Sequence, residues 1–123
     1  MRWNINIIII DKDEILMKEI YNCSLNKNFN LIYCNDITNI KKLISNKNPE
    51  TIIFDLDNLS NNKIKSFKYV RSLTNKPIIV ISSNNNTDDI VLFFSLGADD
   101  YVVKPLSLKE LIMRIQAIYN RNK

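Results

Sequence analysis

The chain has 123 residues, with 17 basic and 13 acidic side chains, a formal net charge of +4 and no histidine. The lack of histidine excludes Ser-His-Asp and Cys-His nucleophilic sites and the commonest zinc ligand. The length indicates one domain with its own core. Because charges interrupt every apolar run before it could cross a bilayer, we expect a cytoplasmic protein without a membrane segment.

Apolar runs alternate with segments of helical periodicity along the whole chain. Runs such as IIII and PIIVI lack polar-apolar alternation, which is typical of strands that are buried on both faces. In chain order, the predicted elements are a strand at 4–10, a helix at 14–25, a strand at 30–34, a helix at 37–46, a strand at 51–54, a helix at 63–73, a strand at 78–81, a helix at 88–96, a strand at 101–103 and a helix at 107–121.

This alternation predicts an α/β fold: a (βα)5, doubly wound, five-stranded parallel sheet with helices on both faces. We predict the flavodoxin-like strand order 2-1-3-4-5, with the second strand at an edge. Asp13 and Ser107 are predicted N-caps, and Gly97 suits a helix C-cap. Because Gly97 is the only glycine, glycine-rich phosphate loops are excluded.

Polar side chains follow four of the five predicted strands. Asp11 follows the first strand, Asp55 the third, Ser82 and Ser83 the fourth and Lys104 the fifth. Ligands of open parallel sheets bind beyond these carboxyl ends. A carboxylate such as Asp55 can attack phosphorus and form an acyl phosphate, while an ammonium and a hydroxyl stabilise the transferred oxygens. A hard divalent cation held by carboxylates would complete such a site.

Four segments, IIIIDKDE, TIIFDLD, KPIIVISS and LGADDYVVKPLSLKELIMRI, span nearly the whole chain. In this order they resemble the receiver domain of two-component response regulators. The resemblance implies that Asp55 is the phosphoacceptor, Ser82 the switch hydroxyl, Tyr101 the rotating aromatic and Lys104 the phosphate partner. It also implies a cis peptide bond between Lys104 and Pro105, since X–Pro bonds have only a small preference for trans.

The last of these segments is most similar to receivers joined to a winged-helix DNA-binding domain. We therefore expect residues 1–123 to form one receiver domain at the front of a longer transcription regulator. DNA would be bound only through a domain outside this sequence, because the basic residues here are scattered and form no stripe with aromatic residues. A sensor histidine kinase is the partner that the resemblance implies.

The acidic pocket departs from the family pattern. The resemblance implies that Asp11 is the first of two adjacent acids, but the second position is Lys12. The change from an acid to a cation alters the local charge by two units, and each charge at about 4 Å is worth ~4 kcal/mol at an effective dielectric of ~20. We interpret Lys12 as pairing with Asp11 or Asp55 and standing in for the metal; the alternative is that it extends into solvent.

The loop after Asp55 departs as well. The family expects a proline and a glycine where this chain has Leu59 and Lys63. Asp57 can still offer its backbone carbonyl, so a metal site would consist of Asp11, Asp55 and Asp57. Because of Lys12, we expect Mg²⁺ to bind weakly or not at all.

These departures favour an atypical receiver rather than an enzyme: a module that switches an output with weak or no Mg²⁺-dependent phosphorylation of Asp55. One alternative is an ordinary receiver that is phosphorylated on Asp55 in spite of Lys12. An alternative from another class is a small flavodoxin-like enzyme or flavin carrier. Against it, the loops lack the Ser/Thr/Gly-rich phosphate contacts that a flavin needs.

A homodimer through the fourth helix, fifth strand and fifth helix is a further expectation. Residues 90–94 are all apolar and exceed one helical turn, so one buried face cannot cover them all. In similar regulators charged residues of this surface pair across the dimer, but Ile90 and Ser95 replace two of them. The expected interface residues are Ile90, Phe93, Asp99, Asp100, Glu110, Arg114 and Arg121.

Overall fold

A computed structural model describes residues 5–23, 28–59 and 62–122 of the protein. The strands are β1 (Ile5–Ile10), β2 (Phe29–Cys34), β3 (Thr51–Asp55), β4 (Ile78–Ser82) and β5 (Asp100–Val103). The helices are α1 (Ile15–Asn22), α2 (Ile40–Lys47), α3 (Lys63–Leu73), α4 (Thr87–Ser95) and α5 (Leu108–Arg121). Short 3₁₀ turns, Ile37–Asn39 and Leu56–Asn58, precede α2 and follow β3.

The sheet has the predicted topology. All four strand pairings are parallel and the order is β2-β1-β3-β4-β5, with β2 at an edge as expected. Ile8 of β1 lies opposite Ile32 on one side and Ile52 on the other. The doubly wound α/β prediction is confirmed. Parts of two predicted elements, residue 4 of the first strand and residues 24–25 of the first helix, lie outside the described residues.

The core consists of two clusters, one on each face of the sheet. Ile8 and Ile10 pack into the cluster that α2, α3 and α4 cover. Ile7 and Ile9 pack into the cluster covered by α1 and α5. Successive side chains of a strand point to opposite faces, so an uninterrupted run of isoleucine supplies both clusters at once.

The helix ends follow the predicted capping residues, with small displacements. The Ser107 hydroxyl accepts a hydrogen bond from the Glu110 N–H and caps α5 as predicted. The N-cap of α1 is Glu14 rather than Asp13, although a carboxylate oxygen of Asp13 accepts a hydrogen bond from the Ile15 N–H. Gly97 lies one residue beyond the C-cap of α4, with φ of +111°.

The edge of the sheet at the amino ends of the strands is tied together by Arg71 of α3. Its guanidinium donates hydrogen bonds to the carbonyls of Gly97 and Thr74 and to the carboxylate of Asp99. The same Asp99 oxygen accepts the backbone N–H of Ile78, the first residue of β4. These contacts join α3, β4 and the α4–β5 connection at the edge opposite the carboxyl ends of the strands.

Within the three described ranges, no helix combines the length and the apolar character that spanning a membrane requires.

Candidate functional site

The carboxyl edge of the sheet brings together the polar residues at the ends of β1, β3, β4 and β5. Asp11, Asp55 and Ser82 are buried there, with 6%, 4% and 1% of their surface exposed. The Lys104 N–H donates to the carbonyl of Ser82, which fixes the backbone after β5 against β4. The predicted convergence of these four residues on one edge is therefore present.

Lys104 supplies a cation to the centre of this edge. Its ammonium nitrogen lies 2.7 Å from Oδ2 of Asp55 and 3.2 Å from Oδ2 of Asp57. Burial would lower the pKa of the Lys104 ammonium, but its bonds to the two carboxylates raise it above the ordinary value. Lys104 is therefore a permanent cation shared by two acids. The peptide bond between Lys104 and Pro105 is cis, as predicted.

The carboxylate of Asp57 is bound by three different donors. The Ser82 hydroxyl donates to Oδ1 at 2.9 Å, and the Ser83 N–H reaches both oxygens at 3.0 and 2.9 Å. The third donor is the Lys104 ammonium. Burial would raise the pKa of the Asp57 carboxyl, but the hydrogen bonds from Ser83, Ser82 and Lys104 hold it below its usual value.

A chain of hydrogen bonds connects Ser82 with Tyr101. The Asn84 N–H donates to the Ser82 hydroxyl oxygen at 3.0 Å, and the Tyr101 hydroxyl donates to the Asn84 carbonyl at 2.9 Å. The Tyr101 ring is buried, and its centroid lies 6.3 Å from that of Phe93 in the core. The connection between β4 and α4 is thus joined at one end to the acidic site and at the other to a buried aromatic ring.

Asp11 is crowded by negative charge. Burial, together with the neighbouring charge of Asp55, raises the pKa of the Asp11 carboxyl to about 6. One of its oxygens accepts the backbone N–H of Lys12 at 2.7 Å, which acts in the opposite direction. The carboxylates of Asp11 and Asp55 therefore repel each other at neutral pH.

The interpretation of Lys12 as a stand-in for the metal stays a prediction. Lys12 is exposed, and its backbone N–H donates a hydrogen bond to a carboxylate oxygen of Asp11. Lys104 is the cation that pairs with Asp55. The exposure of Lys12 is compatible with the alternative interpretation, in which the lysine stem extends its charge into solvent.

A cavity of about 360 Å³ opens beside these acids. The carboxylate-bearing residues Asp11, Asp13, Glu19 and Asp55 line it together with Lys104. Oxygen donors of this kind suit Mg²⁺. However, no group of three acidic, cysteine or histidine side chains is arranged to hold a metal in the parts of the chain that the structure describes. Asp57 binds Ser82 and Ser83 through its side chain and does not line the cavity.

The surface of α4 and α5 differs from the expected interface. Phe93 is buried in the core against Phe67, so its assignment to a surface was wrong. Ile90 is half-buried and packs against the same cluster. Val91 and Phe94 carry the exposed apolar surface of α4, with 59% and 44% exposed. Five consecutive apolar residues do not reveal which of them faces the core, because a helix turns by about 100° per residue.

The charged residues of this surface form ion pairs within the chain. Arg71 binds Asp99, while Arg114 binds both Asp100 and Glu110 at 2.9 and 2.8 Å. The hydrogen bonds that the Arg114 guanidinium donates to Glu110 and Asp100 raise its pKa. Arg121 is exposed at the end of α5.

Two residues of the site were not found by reasoning from the sequence: the Asp57 side chain, considered only for its carbonyl, and Asn84. A signal for Asp57 was available, because an acid two positions after a strand end lies close to the donors that end the next strand, here Ser82 and Ser83. Asn84 contributes backbone groups, which leave no mark on the sequence.

Comparisons with known proteins agree with this geometry. Residues 7–116 match the family model described as the response regulator receiver domain. The response regulator protein GraR of Staphylococcus saprophyticus is 32% identical over 116 residues, covering 94% of this chain and 52% of the relative. This chain thus spans about half the length of such curated relatives.

Solved structures of response regulators also superpose on this chain. The receiver domain of the Francisella response regulator 1452 superposes with a TM-score of 0.85 at 26% identity, covering 98% of this chain and 100% of that one. A two-component response regulator from Clostridium difficile superposes with a TM-score of 0.84 at 26% identity, covering 98% and 99%.

Proposed function

This chain belongs to the response regulator receiver family, and on that premise we propose that it is an atypical receiver whose Asp55 accepts a phosphoryl group weakly or not at all. Its role is to switch an output, for which we propose transcription. The observation that carries the proposal is the position of Asp55: nearly buried at the carboxyl edge of the sheet, with the Lys104 ammonium 2.7 Å from its carboxylate. The sensor partner would be a histidine kinase.

The chemistry proposed for Asp55 is a displacement at phosphorus. A carboxylate oxygen attacks the phosphorus of the donor, and the bond from phosphorus to the leaving group breaks. The leaving group is the imidazole nitrogen of a phosphohistidine or the acetate of acetyl phosphate. The Lys104 ammonium and the Ser82 hydroxyl lie where they could stabilise the transferred oxygens.

Weak binding of Mg²⁺ is part of this proposal. Asp11 and Asp55 are the carboxylates that would hold the ion, and Asp13 lines the same cavity. Bound Mg²⁺ would neutralise charge on the phosphoryl oxygens. Lys12 stands where the family has a second acidic ligand, so we expect a low affinity for the ion.

Intact-mass spectrometry after incubation with acetyl phosphate tests the proposal directly. We expect partial addition of one phosphoryl group with Mg²⁺ and none in Asp55→Asn. Rapid conversion of the whole sample at low Mg²⁺ would instead identify an ordinary receiver. Modification that persists in Asp55→Asn would contradict the assignment of the acceptor.

We also propose self-association through α4 and α5. Val91 and Phe94 on α4 and Met113 on α5 expose apolar side chains, with Val91 and Met113 more than half exposed. A second copy of the chain is the proposed occupant of this surface. The transcriptional output would belong to a further domain, since the curated relatives are about twice as long as this chain.

A further inference from the structure

The donors that surround the Asp57 carboxylate form a compact anion-binding group. They are a hydroxyl from Ser82, a backbone N–H from Ser83 and the ammonium of Lys104, at 2.9 to 3.2 Å. They come from two neighbouring strand ends and converge on one carboxylate. Each of them has a proton to donate, so the group is suited to an oxyanion.

These donors lie beside Asp55. Lys104 binds Asp55 and Asp57 with the same nitrogen, and Asp55 Oδ1 accepts the N–H of Asp57. A phosphoryl group attached to Asp55 would therefore extend toward Ser82 and Ser83, where its oxygens would need these same donors. In the structure, Asp57 already occupies them.

We propose that the Asp57 carboxylate is a built-in occupant of the phosphoryl-binding donors, which must be displaced before a phosphoryl group on Asp55 can use them. The part of the proposal that concerns Asp55 rests on the function proposed above. The part that concerns an oxyanion site closed by Asp57 does not, because it depends only on the donors of Ser82, Ser83 and Lys104.

Occupation by Asp57 has a second effect, on the connection between β4 and α4. The Ser82 hydroxyl that donates to Asp57 also accepts the Asn84 N–H, and the Asn84 carbonyl accepts the Tyr101 hydroxyl. Asp57 is thereby connected to the buried Tyr101 through Ser82 and Asn84. Asp57 is a positioning residue in this scheme: it acts through Ser82 and Ser83.

The test compares Asp57→Ala and Asp57→Asn with the wild type and with Asp88→Asn. Asp88 is an exposed acid in the first turn of α4, so its replacement makes the same charge change away from these donors. Asp57→Asn keeps the size of the side chain and serves if Asp57→Ala does not fold, as judged by circular dichroism.

The first measurement follows the Ser83 amide by nuclear magnetic resonance while inorganic phosphate is added. We expect the Ser83 signal to move in the Asp57 variants and to stay in place in the wild type and in Asp88→Asn. Hydrogen exchange of the same amide without phosphate should become about tenfold faster in Asp57→Ala. A Ser83 amide that responds equally in all four proteins would overturn the proposal.

The second measurement is the rate of phosphorylation by acetyl phosphate. We expect Asp57→Ala to be modified several-fold faster than the wild type and Asp88→Asn at the wild-type rate. If the wild type and Asp57→Ala are modified equally fast, the competition is refuted. If phosphate moves the Ser83 amide only in the Asp57 variants while no protein is ever modified, Asp57 still closes an oxyanion site, and the function proposed for Asp55 fails instead.

Discussion

The ammonium nitrogen of Lys104 lies 2.7 Å from a carboxylate oxygen of Asp55, although the two residues are 49 positions apart in the chain. Asp55 is nearly buried, while about a third of the Lys104 side chain is exposed. The pair joins the end of β3 to the end of β5 across β4. Lys104 is therefore the cation that balances the charge of Asp55.

Lys104→Ala should therefore lower the free energy of unfolding by about 2 kcal/mol, because it leaves a buried carboxylate without its cation. Partial exposure of Lys104 keeps the expected loss below that of a fully buried pair. Lys12→Ala removes a charge of the same sign from an exposed side chain and should change stability by less than about 0.5 kcal/mol. Urea denaturation measures both, and equal losses in the two variants would refute the distinction.

Asp11→Asn should stabilise the protein at neutral pH when divalent ions are absent. Burial and Asp55 raise the pKa of the Asp11 carboxyl to about 6, above its unfolded value of 3.8. The stability contributed by this group is fully present below the unfolded pKa and is lost as the pH rises through about 6. We expect a gain of about 1 to 3 kcal/mol for Asp11→Asn at pH ~7.5.

The pH dependence is the control for this prediction. Near pH ~4 the wild-type carboxyl is largely protonated in the folded protein, so the advantage of Asp11→Asn should shrink toward zero. Urea denaturation of both proteins at the two pH values gives the difference. An advantage of the same size at both would mean that charge crowding is not its cause.

Self-association should depend on the exposed apolar residues of α4. Phe94→Ser should weaken dimer formation in sedimentation velocity about tenfold or more, since an aromatic side chain near the middle of an interface contributes strongly to binding. Ile64→Ser on α3 is the matched control, because Ile64 is 42% exposed and Phe94 is 44% exposed. A wild-type protein that remains monomeric at high concentration would end the dimer proposal.

Gly97→Ala should destabilise the protein by about 1 to 2 kcal/mol. The residue has φ of +111°, and a Cβ there would lie 2.9 Å from Cδ of Arg71. The Arg71 side chain can move only by giving up hydrogen bonds to the carbonyls of Gly97 and Thr74. Asn85→Ala, an exposed change in the loop before α4, should be nearly neutral. Thermal unfolding followed by circular dichroism compares the two.

Most of the fold could be predicted because strands buried on both faces of a parallel sheet have an apolar pattern that is visible in the sequence. The isoleucine run of β1 is apolar at every position, and only a central strand with both faces covered accommodates that. Boundaries were less exact. α1 begins after Glu14 instead of at it, and its cap differs by one residue, because neighbouring polar residues can exchange capping roles with little difference in free energy.

The site could be predicted as a set of residues but not as a set of contacts. Strand ends placed Asp55, Ser82 and Lys104 on one edge, since parallel strands end together. The direction in which Lys12 and Asp57 point depends on backbone angles just beyond those ends, which the residue types do not reveal. Lys12 is exposed, and the Asp57 carboxylate accepts a hydrogen bond from the Ser82 hydroxyl, whereas the sequence indicates a role only for the Asp57 carbonyl.

The Arg71 contacts hold the chain that follows the carboxyl end of α4. Arg71 binds the Gly97 carbonyl and the Asp99 carboxylate, so a rotation of α4 would be centred near its carboxyl end. The nine residues of α4 span about 13 Å along the helix axis. A displacement of about 1 Å at the amino end of α4, where the preceding loop contacts Asp57, would tilt the helix axis by on the order of 4°. A small movement of an acidic side chain at the site would then change the angle at which the exposed residues Val91 and Phe94 face their surroundings.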